Sequence, residues 1–148
     1  MKSFLRSVAA VVLGLVAASA VMMVFESLNG RVLYPELGAL ARGMTDRDAI
    51  RALLATAPAG AFAVVIVGWT LGSFAGGYLT AWMAGRAPRG HAVALGTLLT
   101  LAGIANNLMV PPPLWFWVAS LAVLIPAACA GGRLRSARSA RSSTATSV

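Results

Sequence analysis

The chain has 148 residues, 59% of them hydrophobic and only 11% charged, where a soluble domain carries about 25% charged residues. With a mean hydropathy of +0.81, a soluble fold of this size could not hide so much apolar surface, which leaves a membrane protein. The net charge of +8 does not point to nucleic acid, because the basic residues gather at the ends of apolar runs with no aromatic interleaving.

Crossing about 30 Å of hydrocarbon takes roughly 20 apolar residues in a helix. The first run that qualifies covers residues 4–25. Its basic start, Lys2 and Arg6, and the small residues Ala18-Ser19-Ala20 also fit a cleaved signal peptide. Against cleavage, the apolar run continues through Val21-Met22-Met23-Val24-Phe25, longer than an ordinary signal core.

Residues 26–59 form a long connection. Asn29-Gly30 is expected to end the first helix. Tyr34-Pro35-Glu36 suits the start of a short helix with Pro35 at its first position. Thr45 reads as the cap of a second one, with Asp48 standing where a capping-box glutamate would be. Ile50, Leu53 and Leu54 follow at helical spacing. This predicts an amphipathic segment lying flat over the mouth of the bundle.

The second span covers 60–84 and is rich in small residues. Gly68, Gly72 and Gly76 recur every fourth position, and so do Ser73, Gly77 and Ala81. The two rows lie side by side on a helix. Lipid tails are as apolar as leucine, so helices in a bilayer join through close backbone approach and hydrogen bonds. The second span is therefore expected at the centre, touching two neighbours or a second copy of the chain.

The third span covers 91–110 and ends on Asn106 and Asn107. Pro111-Pro112-Pro113 then forces a short extended turn. The fourth span covers 114–130. Trp115, Phe116 and Trp117 at its start fit an interfacial aromatic belt, and Pro126 interrupts its interior. Only helices or closed barrels satisfy the backbone in lipid, and these runs lack the alternation of barrel strands. Residues 132–148 are rich in Arg, Ser and Thr and are expected to be disordered, with arginines able to attract anionic lipid.

Charge orients the four spans. Lys2, Arg6, Arg86, Arg89, Arg133, Arg135, Arg138 and Arg141 fall on one side with no acidic residue. Arg31, Arg42, Arg47 and Arg51 on the other side balance Glu26, Glu36, Asp46 and Asp48. The positive-inside rule then places both termini in the cytoplasm and the long connection outside.

Glu26, Asn106 and Asn107 come out at similar depth near the outer surface. Asn107 shares the small-residue face of Gly96, Thr100 and Gly103, whereas Asn106 lies about 100° away. An unpaired amide in an apolar setting costs roughly 2–7 kcal/mol. We therefore expect a polar cluster of Glu26, Asn107 and Asn106. It would serve as a clasp between the first and third spans, as an interfacial group meeting water, or as a proton or small-ligand site.

No catalytic set is expected. His91, the only histidine, falls at the inner end, away from every carboxylate, and Cys129 has no base near it. No metal-ligand spacing or phosphate loop occurs, so no cofactor is expected. A carboxylate in a four-span chain invites comparison with small multidrug transporters, but those carry it mid-span and have short loops. The order Glu26-Ser-Leu-Asn-Gly, Tyr34-Pro35, Gly72-Ser-Phe-Ala-Gly-Gly77 and Asn106-Asn107 before a proline turn resembles short bacterial four-span inner-membrane proteins. That likeness covers residues 1–131 and implies a location but no activity. The expectation is an all-α integral membrane four-helix bundle with a short amphipathic outer-loop helix, a non-enzyme. It would act as an interaction or accessory subunit with a membrane-protein partner or a second copy. The other reading is a small oligomeric transporter or channel.

Overall fold

The computed structural model describes the backbone of residues 2–85 and 87–145 and the side chains of 3–85 and 87–139. Lys2, Arg86 and Arg141, counted in the charge pattern, lie outside the described side chains. The described chain is all-helical: α1 (Lys2–Leu28), a π-helical segment (Asn29–Leu33), α2 (Pro35–Ala41), α3 (Arg47–Thr56), α4 (Ala59–Ala84), α5 (Pro88–Met109) and α6 (Leu114–Ala145). Helices α1, α4, α5 and α6 are each long and apolar enough to cross a membrane. The protein is a multi-pass four-helix bundle.

Helix α4 is the hub and touches all three other long helices, while α5 packs mainly on α6 and only slightly on α1. The share of the apolar window buried inside the protein is 39% for α4 and 17% for α1. The reason lies in side-chain size. Gly68, Gly72 and Gly76 turn toward α1, where a Cβ would run into Phe25, Ala18 or Gly14. On the other face, a Cβ at Gly77 would overlap the Ala128 backbone of α6. Reciprocally, Gly131 of α6 lies against the backbone of Phe74 and Tyr78. Ser73 and Ala81 are buried too. The small-residue strip is thus covered within one chain, by α1 and α6. Between the helices, Ala18, Trp69, Leu95, Leu99 and Leu124 form the buried core.

Three local expectations are corrected. The first helix does not stop at Asn29-Gly30. It widens into the π-helical segment, where Tyr34 N donates to Asn29 O at 2.8 Å and Asn29 Nδ2 reaches Ala61 O at 3.0 Å. Gly30 there faces Gly38 of α2, and a Cβ at Gly38 would overlap the Gly30 carbonyl. The cap of α3 is Asp46, whose carboxylate accepts from Ala49 N at 2.9 Å, so neither Thr45 nor a capping box starts the helix. The fourth helix does not end at 130: α6 runs through Pro126 and on to Ala145, carrying helix into the region expected to be disordered.

The aromatic residues also divide. Trp115 is exposed, but Phe116 is buried, 5.3 Å from the ring of Phe62 and 6.0 Å from that of Trp69. Phe116 thus belongs to the core and not to a belt. In α3, Ile50, Leu53 and Leu54 are half-buried and Arg47, Asp48 and Arg51 exposed, the arrangement of an amphipathic helix.

Candidate functional site

Glu26 occupies the last turn of α1, and its carboxylate projects toward α4. Oε1 accepts a hydrogen bond from Trp69 Nε1 at 3.1 Å. The indole itself is buried at 5% exposure. A buried indole needs a partner for its N–H, above all in lipid where water cannot serve. Glu26 supplies that partner. Gly103 of α5 makes room for the ring, since a Cβ there would stand 3.1 Å from Trp69 Cζ3. Three helices therefore fix one hydrogen bond.

The three polar residues expected to cluster are divided between two places. Glu26 and Asn106 line one groove, together with Ser19, Met22, Trp69 and Ala102. Asn107 points away from α1. It is fully buried, and its Nδ2 donates to Ser120 Oγ of α6 at 3.4 Å, while Ser120 donates to Trp117 O at 3.3 Å. Asn107 Oδ1 has no partner. Asn107 therefore fastens α5 to α6, and no clasp joins it to Glu26.

The groove containing Glu26 lies between α1 and α5, with a volume of about 350 Å³. A second cavity of about 550 Å³ continues along the same pair of helices, lined by Val8, Val12 and Leu15 of α1 and His91, Ala94 and Leu98 of α5. The first half carries a carboxylate and an amide, and the second is almost wholly apolar. Glu26 also borders a cavity of about 670 Å³ with Arg31 of the π-helical segment and Arg42 after α2. One carboxylate thus stands where the groove between α1 and α5 meets a hollow lined by two arginines.

Two participants escaped the sequence reading. Trp69 was hidden among apolar neighbours; the signal was a tryptophan within a span, whose N–H must find an acceptor. Asn29 looked like a helix terminator, yet its amide bridges to α4.

A carboxyl group has two oxygens that accept hydrogen bonds, and Trp69 engages Oε1 of Glu26. Oε2 is left for a hydrogen-bonding group entering the groove. His91 Nδ1 donates to Ala87 O at 3.0 Å, at the opposite end of the bundle. Among the described residues, no group of three His, Cys, Asp or Glu could hold a metal ion.

Comparison with known protein families, curated proteins and solved structures finds no match to this chain.

Proposed function

We propose that the protein is an accessory subunit of a bacterial inner membrane, both termini cytoplasmic, which seats an apolar helix of a partner membrane protein between α1 and α5. The observation that carries this reading is the groove itself. It follows two helices that hardly touch, from Gly90 and His91 at one end to Glu26 and Asn106 at the other. From residue 90 to 106 a helix rises about 24 Å at ~1.5 Å per residue, most of the hydrocarbon thickness. A lipid chain in one leaflet would fill only half of that length; a transmembrane helix fills it all. Glu26 and Asn106 then select a partner with a basic or hydrogen-bonding side chain near its outer end. The charge asymmetry of the sequence supports the orientation.

Transport is the competing reading, because an ionisable group within a span is a functional candidate by default. Its weakness is the long apolar stretch of the groove, whose lining offers no polar side chain between Ser19 and the far end at Ser7 and His91. Flux across proteoliposomes separates the two. The accessory reading expects proton and small-cation flux no higher than in empty vesicles and unchanged by Glu26→Gln. Flux that vanishes with Glu26→Gln would overturn it.

A further inference from the structure

The opposite end of the bundle carries a cavity that the proposed helix groove does not use. Its volume is about 520 Å³, and its walls come from four elements: Arg6 of α1, Trp82 of α4, Pro88 opening α5, and Arg135 and Ser136 of α6. Arg6 does not hang loose. Its Nε donates to Met83 O at 2.8 Å, which satisfies a carbonyl in the last turn of α4. Gly85 ends α4 in the left-handed region at φ +69°, and a Cβ there would press on the Arg6 guanidinium. The residue that turns the chain therefore also leaves space for the arginine to lie across the turn.

Two guanidinium groups lining one hollow repel each other unless an anion lies between them. Among the described residues no side-chain carboxylate stands at this end, since all four acidic residues fall between 26 and 48, at the far end of the bundle. Trp82 is 56% exposed beside the cavity. An exposed tryptophan at the end of a span marks headgroup depth. Basic hollows between helices at that depth suit phospholipid headgroups.

We infer that the cavity bounded by Arg6, Arg135 and Ser136 is a binding site for the phosphodiester of an anionic phospholipid. Arg6 and Arg135 contact the phosphate oxygens, the Ser136 hydroxyl lies against the headgroup, and Trp82 packs on the glycerol and upper acyl region. The site is independent of the helix groove, so either stands if the other fails.

The test is native mass spectrometry of the full chain released from nanodiscs holding phosphatidylglycerol and phosphatidylcholine in equal parts. The expected result is retention of phosphatidylglycerol in preference to phosphatidylcholine. Arg135→Gln should lower that retention about fivefold, the effect of one basic side chain near an anionic headgroup. Arg51→Gln, which removes the same charge at the other end, should leave it unchanged. Arg6→Lys keeps the charge and guards against misfolding in Arg6→Gln; it should retain more lipid than Arg6→Gln. Equal retention by the unaltered chain and Arg135→Gln would overturn the site, as would an equal drop in Arg51→Gln. A third arm adds inorganic phosphate to the detergent-solubilised chain and follows thermal stability. Stabilisation by inorganic phosphate but not by phosphatidylglycerol would overturn the lipid assignment in favour of a soluble phosphate.

Discussion

The seam between α4 and α6 is closed, and the seam between α1 and α5 is open. In the first, Gly77 meets Ala128 and Gly131 meets Phe74 and Tyr78, backbone against backbone. In the second, Val8, Val12, Leu15 and Met22 face Ala94, Leu98 and Ala102 across cavities. Both seams are apolar, so hydrophobicity does not distinguish them. In a bilayer the difference lies in how near two backbones can come, because that distance sets the dispersion contact and excludes lipid. Small residues on both sides close a seam; large side chains, those of α1 together with Leu98 of α5, hold it open.

The sharpest way to break this comparison is to add volume to each seam. Gly77→Val, or Ala128→Leu opposite it, should lower stability by about 1–3 kcal/mol, the cost of overpacking, measured by unfolding in mixed micelles of increasing SDS fraction. A variant of either kind that unfolds like the unaltered chain would refute backbone contact between α4 and α6.

A smaller effect is expected where the groove meets α4. Trp69→Phe keeps the ring but removes the N–H, and Glu26→Ala removes its acceptor. The double-mutant cycle should give a coupling of about 0.6 kcal/mol, the average for side-chain hydrogen bonds in membranes. Zero coupling would mean that Glu26 is not the partner of Trp69.

Glu26→Ala and Asn107→Leu should add to within about 0.3–0.5 kcal/mol, as independent sites do. Their partners, Trp69 and Ser120, are different. A larger coupling would restore the clasp between α1 and α5 that depth alone suggests. The smallest change is expected from Ala102→Leu in the open seam: stability within about 0.5 kcal/mol of the original, as for substitutions away from packed features.

The spans and the central place of α4 were legible because their causes are local. Apolar runs of sufficient length form helices long and apolar enough to cross a membrane, and rows of glycine at every fourth residue announce close neighbours. The interior face of α5 was legible too, since Asn107, Gly103 and Gly96 are all buried. What periodicity cannot say is which helix covers that face. It is α6, so the amide of Asn107 met Ser120 and not Glu26. The same limit explains Phe116. Its neighbours suit an interface, but Phe62, far along the chain, draws it inward. The π-helical segment at Asn29 depends on the approach of Gly38 and the acceptor at Ala61, neither of them within its own turn. Capping by Asp46 in place of Thr45 is a shift of one residue between two good cap formers, which local sequence leaves nearly even.

The functional account rests on the α1–α5 groove holding another helix. A photoreactive side chain placed at Leu98 or Ala102 in the groove, and separately at Val118 on the outer face of α6, tests this in native membranes. The account expects one protein adduct of the same mass from both groove positions, weakened by Glu26→Ala, and none from Val118. Protein adducts of equal yield from all three positions, or lipid adducts alone from the groove, would contradict it.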